Sequence, residues 1–180
     1  SSAASDVYKR QLLLEAEVLV LAVTDDAIAE VAGRLVATGL VGERHVLLHC
    51  SGSTPAAQVL GAVAGKVGGI GTLHPLRAVV DASAVMRSWK GTVFGVEGDA
   101  RGRTAATALA TALGGTSLAL ASDAMVRYHA AAALASNYVV AVVDAAVALL
   151  RASGIEQDAA VAALVPLAQG ALANVAQHGL

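Results

Sequence analysis

Between Glu17 and Leu120 the chain alternates short apolar, β-branched runs with helix-length stretches, and after Ala121 the alternation stops. Few folds satisfy that pattern. Strands separated by helices of this length connect by right-handed crossovers into a mostly parallel sheet with helices packed on its faces. The predicted strands are Glu17–Val23, His45–His49, Val67–Leu73, Thr92–Glu97 and Thr116–Leu120, with the direction of the fifth left open. Glu17–Val23 is a continuous apolar run with β-branched content, as expected of a strand covered on both sides.

The helix signals agree. Thr24-Asp25-Asp26 offers an N-cap and an acidic first turn for a helix to about Thr38, stopped by Gly39. Ser53-Thr54-Pro55 opens a second helix, with the proline just inside its start, running to about Gly65. A short helix is expected near Asp81–Ser88, and Asp99 caps another that Gly114-Gly115 ends. Ser122-Asp123 then caps a long helical stretch to about Ser153, with Gly154 as its stop. From Asp158 to about Gln177 lies a further helical segment, in which Pro166 and Gly170 are expected to cause a break. Residues 1–11 are polar and without periodicity and read as an appended or disordered leader; residues 12–121 form the sheet domain and residues 122–180 the start of a helical one.

Composition excludes several functions. The formal charge of −2 gives no basic footprint, and 3% aromatics cannot build a base-stacking platform, so nucleic acid is not an expected partner. The single cysteine, Cys50, excludes an internal disulfide framework and fits a reducing, cytoplasmic setting. Ala130–Leu150 is long enough to span a bilayer, but Asn137 and Asp144 interrupt it. A central Asp alone costs about 2.5–3.5 kcal/mol on insertion scales, so no membrane association is expected. A helix this long and apolar still needs cover, which implies further sequence or a partner subunit.

Polar, proton-handling residues gather at strand ends, where open α/β sheets place ligands. Val23, Thr24 and Asp25 follow the first strand and open a helix, where backbone N–H groups can meet a ribose or phosphate. In His49-Cys50-Ser51-Gly52-Ser53, the glycine lets a ligand approach the backbone between two hydroxyls. There is no G-x-S-x-G elbow, and Cys50 reads as an inert buried thiol. His74 follows the third strand directly, held extended by Pro75, as a candidate acid/base; Arg77 is a candidate partner for a substrate carboxylate. On the long helix, ideal α geometry sets His129 and Ser136 about 20° apart, with Asn137 about 80° round. Alone, each of these sets is as well explained by caps, turns and packing. A zinc site from His49, Cys50, His74 and His129 lacks any short ligand spacing, so no metal is expected.

Taken in order, "LAVTDDAI", "LLHCSGS", "GTLHPL", "GTVFGVEGD", "YHAAAALASNY" and "LVPLAQGALAN" resemble a family of bacterial oxidoreductase-like proteins with a Rossmann-like domain and a C-terminal DUF2520 domain. That family is similar to the 6-phosphogluconate and 3-hydroxyisobutyrate dehydrogenase group and to pyrroline-5-carboxylate reductase. The resemblance implies an α/β fold: a truncated Rossmann-like, mostly parallel sheet followed by an all-α domain with one long helix. It also implies NAD(P), with NADP preferred, hydride transfer to a small carbonyl or imine substrate, and a homodimer formed through the helical domain. Catalytic roles fall to His129, His74 and Asn137, cofactor contacts to Val23, Thr24, Asp25, Ser51 and Gly52, and substrate contacts to Ser53, Pro75, Arg77 and Ser136. Two departures stand out. The catalytic lysine of the 3-hydroxyacid dehydrogenases is replaced here by Ala133, which moves the proton donor to a histidine. No G-x-G-x-x-G is present, since Gly68-Gly69-Ile70-Gly71 has the wrong spacing, so the chain reads as a fragment lacking the first βαβ unit. The alternative is a non-catalytic nucleotide-binding, dimerising protein.

Overall fold

The computed structural model describes residues 10–78 and 89–180. The chain divides into two compact units, residues 1–129 and 130–180. The expected short helix at Asp81–Ser88 and most of the leader lie outside the described residues. Residues 10 and 11, placed in the leader by the sequence, belong instead to a helical stretch over 10–15. That stretch is tied down: His45 Nε2 lies 2.9 Å from the Leu13 carbonyl oxygen, and Arg44 donates to the carbonyls of Leu13 and Leu14.

The first unit is a five-stranded sheet in the order β1-β2-β3-β4-β5, formed by Val18–Leu21, Val46–His49, Gly69–Leu76, Val93–Gly98 and Thr116–Ala119. β1, β2 and β3 are mutually parallel, and β4 and β5 are parallel to each other. The sheet is mostly parallel, as expected, with one antiparallel pair, β3 with β4. The fifth strand, whose direction the sequence left open, follows the fourth.

β3 is also longer than its apolar run. It continues through His74 and Pro75 to Leu76, so these two residues lie within the strand and not after it. β2 pairs with β3 only from Gly69 to Thr72, whereas β4 pairs with it as far as Leu76. Beyond Thr72 the β2 side of β3 is open, and a residue without an N–H is tolerated on such an edge.

Side-chain alternation sends two cores to opposite faces of the sheet. On one face Leu47 and Ile70 pack with Ile28 and Ala32 of α1 (Ile28–Ala37) and with Leu60 and Val63 of α2 (Ala56–Ala64). On the other, Val46, Leu48, Leu73, Phe94 and Val96 pack with Ala106 and Ala110 of α3 (Ala100–Ala112). Asp99 caps α3 as expected, its Oδ1 accepting from Gly102 N at 2.7 Å, while its Oδ2 accepts from Ile70 N at 2.8 Å. The glycines of β3 let α3 lie directly on the strand backbone. A Cβ on Gly102 would fall within the contact distance of the Ile70 carbonyl oxygen, and one on Gly71 would meet Gly102 at 3.1 Å.

After β5, Ser122–Ala124 is a 3-10 turn and α4 covers Met125–Ala133. The expected long helix is present but not uniform: Leu134–Tyr138 is π-helical before α5 (Val139–Ala152). α6 runs unbroken from Gln157 to His178 with Pro166 inside it, so neither Pro166 nor Gly170 ends the helix. Loss of one N–H at Pro166 removes a single intrahelical bond, and the helix continues on both sides. The second unit exposes large apolar side chains, among them Val140, Val142, Leu149 and Leu167 at 69–72%. Ser122–Ala152 and Gln157–His178 are each long and apolar enough to cross a membrane by length and composition alone.

The contact between α3 and β3 is backbone against backbone, so it has no flexible side chain to yield. Gly102→Ala is therefore expected to destabilise the fold by about 3 kcal/mol, at the upper end for overpacked sites, read as a fall in the urea midpoint.

Candidate functional site

Under the site runs a buried polar row. His49, Thr72 and Glu97 are register partners on β2, β3 and β4, so their side chains stand side by side on the α1/α2 face. All three are at most 3% exposed. Ser51 N donates to His49 Nδ1 at 3.2 Å, which leaves that nitrogen without a proton. His49 Nε2–H then donates to Thr72 Oγ1 at 3.0 Å, and the Thr72 hydroxyl donates to Glu97 Oε2 at 3.4 Å. The tautomer is assigned from this bonding pattern. Burial holds the His49 pKa below the ordinary 6.5, partly offset by the charges of Glu97 and Asp25.

Glu97 is the hub of the row. Its Oε2 accepts from Ala56 N at 2.8 Å and its Oε1 from Ser122 Oγ at 2.6 Å. The sequence assigned both helix starts to local caps, but the structure caps them from the sheet. Pro55 occupies the N-cap position of α2, outside the helix proper, and offers no side-chain acceptor, so a carboxylate three strands into the sheet takes the first N–H. Ser122 makes no side-chain cap of its own turn, because its hydroxyl is bonded to Glu97.

Above the row, the residues after β1 and β2 meet. Thr24 has extended backbone angles before the 3-10 turn Asp25–Ala27, and Val23, Thr24 and Asp25 are all exposed. Ser51 Oγ donates to Asp25 Oδ2 at 2.7 Å and lies 3.5 Å from Ser53 Oγ. With its hydroxyl proton on a carboxylate and no histidine on its oxygen, Ser51 is an orienting group and not a nucleophile. Cys50 is a half-buried free thiol whose pKa burial pushes up, which keeps it protonated and unreactive.

His74 stands two residues beyond Thr72 on the same face of β3. A Cβ on Gly52 would lie 2.7 Å from both Cε1 and Nε2 of its ring and 2.9 Å from Cδ2. Such even distances place Gly52 over the ring face and leave the Nε2 edge uncovered. His74 Nδ1 is 2.8 Å from the Tyr128 hydroxyl, and the His74 and His129 ring centroids are 6.0 Å apart. Burial, then the neighbouring His129, lowers the His74 pKa below 6.5, with Asp25 opposing. Burial raises the Tyr128 hydroxyl to about 12.

The first unit thus brings together Asp25, Ser51, Gly52, Ser53, His74 and His129 of the sequence-predicted set, with Pro75 half-buried in β3. Arg77 is exposed, its guanidinium 5.9 Å from the Trp89 ring centroid. Ser136 and Asn137 belong to the second unit, on the π-helical segment, where the 3.6-residue spacing used to align them does not hold. Asn137 is exposed, and Ser136 Oγ donates to the Ala132 carbonyl at 2.7 Å. Among the described residues no three His, Cys, Asp or Glu side chains form a metal-ligand group.

Residues 92–180 match the sequence profile of the domain of unknown function DUF2520. No curated protein matches the chain. Among solved structures it is similar to protein TM1727 from Thermotoga maritima, at 26% identity and a TM-score of 0.70 over 92% of this chain and 62% of that one. It is also similar to a Plasmodium falciparum pyrroline carboxylate reductase with NADP bound, at 11% identity and a TM-score of 0.71 over 95% of this chain and 62% of that one. An Aspergillus terreus reductive aminase in complex with NADPH and ethyl-5-oxohexanoate is similar at 19% identity and a TM-score of 0.63 over 92% of this chain and 56% of that one. The chain therefore has a Rossmann-like fold and spans about three fifths of the length of these three structures.

The Plasmodium falciparum and Aspergillus terreus proteins hold NADP and NADPH, dinucleotides with a nicotinamide riboside at one end and a pyrophosphate beyond it. The exposed turn Val23–Asp25 and the hydroxyls of Ser51 and Ser53 offer hydrogen bonds suited to a ribose and a carboxamide. Asp25 repels phosphate, and the glycine cluster at the start of β3 is filled by Arg101 and Gly102 packing against Gly69 and Gly71. The pyrophosphate end has no cradle among the described residues.

Two measurements test the polar row. Glu97→Ala leaves Ala56 N, the buried Thr72 hydroxyl and the Ser122 hydroxyl without their acceptor and is expected to destabilise by about 3 kcal/mol, with Glu97→Gln losing less. His49 stays neutral in the fold while the unfolded chain takes up a proton near 6.5. Stability should therefore fall as pH drops through that value. His49→Gln should flatten this slope in denaturant titrations between pH 7.5 and 5.5, and an unchanged slope would contradict the buried, neutral assignment.

Proposed function

We propose that this chain is the substrate-facing part of a soluble, cytoplasmic NAD(P)-dependent oxidoreductase that reduces a small carbonyl or imine. The observation that carries the reading is the meeting of Asp25, Ser51 and Gly52 with His74, whose Nε2 edge is open, at the ends of adjacent parallel strands. The nicotinamide, when bound, supplies the hydride. The likeness in fold to reductases seen with NADP and NADPH supports that cofactor and a preference for the phosphorylated form.

The chain's own residues then have defined tasks. Carbon accepts the hydride, and the oxygen or nitrogen of the same double bond needs a proton. His74 donates it from Nε2, a role within reach of imidazole near neutral pH without large tuning. Ser51, fixed by Asp25 below and by His49 through its N–H, orients the reacting carbonyl or the carboxamide. His129, exposed at the mouth, keeps His74 from holding its proton too tightly. Arg77 is the candidate anchor for a substrate carboxylate. Ser53, Pro75, Asn137 and Ser136 are assigned to the substrate from the family resemblance alone. The exposed apolar rows of α5 and α6 support a homodimer formed through the helical unit.

The test is NADPH oxidation with a panel of 2-oxo acids and cyclic imines, using full-length protein. Reduction should slow as pH rises through the depressed His74 pKa, and His74→Gln should lower kcat about 100-fold, the usual contribution of a general acid. Tight NADPH binding with no turnover on any member would favour the non-catalytic, nucleotide-binding alternative.

A further inference from the structure

The Tyr128 hydroxyl lies 2.8 Å from His74 Nδ1 and 3.4 Å from the His74 carbonyl oxygen, and its oxygen has a second lone pair that faces the Gly95 backbone N–H. A phenol has a single proton to donate, and a carbonyl can only accept. Both contacts are hydrogen bonds only when Nδ1–H donates to the phenol oxygen and the phenol O–H donates to the carbonyl. The competing arrangement, in which the phenol donates to Nδ1, leaves the carbonyl contact without a proton.

From this geometry we infer that Tyr128 is a positioning residue that holds His74 as the Nδ1–H tautomer and leaves Nε2 bare toward the site. The inference rests on the acid–base role given to His74 above, and it specifies which nitrogen performs that role. Nε2 has no hydrogen-bond partner among the described residues, yet it is not among buried unsatisfied atoms, so it reaches solvent. Nδ1 keeps its proton in both charge states of the ring, while Nε2 gains and loses one. No ring flip is required in the cycle. The arrangement serves the purpose of a carboxylate behind a histidine, but with a neutral partner whose hydroxyl burial keeps protonated. A neutral partner adds no negative charge to stabilise the imidazolium, so His74 remains a stronger acid than one paired to an aspartate. The other titratable groups facing the ring are His129 and Asp25.

Two glycines make the geometry possible. A Cβ on Gly95, the β4 register partner of His74, would collide with the Tyr128 hydroxyl. A Cβ on Gly52 would press on the ring from its other side.

The tautomer is read directly by long-range proton–nitrogen NMR on full-length protein labelled with 15N-histidine, recorded above the His74 pKa. The expected result is an Nδ1–H pattern for His74, the opposite of the form that free histidine favours in water. Tyr128→Phe should shift it to Nε2–H or to an average, and should lower kcat about tenfold or more with KM within about twofold, as loss of the correct tautomer does in hydrolases. Gly95→Ala, which displaces the hydroxyl and retains the phenol, should give the same NMR change. An Nε2–H pattern in the wild-type protein, or an Nδ1–H pattern that survives both substitutions, overturns the inference. The spectrum decides this whether or not the protein turns over, so failure of the reductase reading would be recognised separately by the absence of NADPH oxidation.

Discussion

The carboxylate of Glu97 is the interaction on which the rest of the first unit depends. A charged side chain at 3% exposure in the middle of a sheet is costly unless every lone pair finds a donor. Here the donors come from three separate parts of the chain: the first N–H of α2, the Thr72 hydroxyl of β3, and Ser122 at the turn leading to α4. Satisfying the carboxylate therefore fixes three elements at once. α2 is set relative to β2, which fixes the Ser51–Ser53 loop between them, and the Ser122 turn is set so that Tyr128 reaches His74. His49 completes the row and takes the Ser51 N–H, so the loop is held from below as well as through Asp25. The groups that face the proposed ligand are thus each held by a hydrogen bond to a fixed neighbour, which is the arrangement a preorganised site requires.

Much of this fold is legible in the sequence because its signals are local. Apolar runs mark β1, β2 and β5, Gly39 and Gly114-Gly115 mark helix ends, and Asp99 caps α3 as a residue in that position should. The reversal at β4 is not legible, since strand direction depends on the path of the whole segment between β3 and β4 and not on the pattern of either strand. The extension of β3 through His74 and Pro75 is hidden for a similar reason, because proline reads as a strand end until the open edge beside it is known. In an alanine-rich helix, apolar periodicity is too weak to separate α from π winding, so the Leu134–Tyr138 segment leaves no mark.

The site is legible in part. Asp25, Ser51, Gly52 and His74 are found because small and polar residues at strand ends are few in this chain. Glu97 is missed, although a lone acid inside the apolar strand "VFGVEG" is a signal in itself: such a group must have partners. Tyr128 is noticed, but its role depends on a contact across 54 residues that no spacing rule anticipates. The glycines at 52 and 95 explain why small residues are needed on both sides of the Tyr128–His74 pair.

The most direct test of the account is an amide NMR titration of the full-length protein with reduced nicotinamide mononucleotide, which carries the ribose and nicotinamide but not the second nucleotide. The residues present fit that half of the cofactor, so the amides of Asp25, Ser51 and Gly52 and the His74 ring should shift together, saturably and with one dissociation constant. Saturable binding that leaves those four positions unmoved would contradict the assignment of this site.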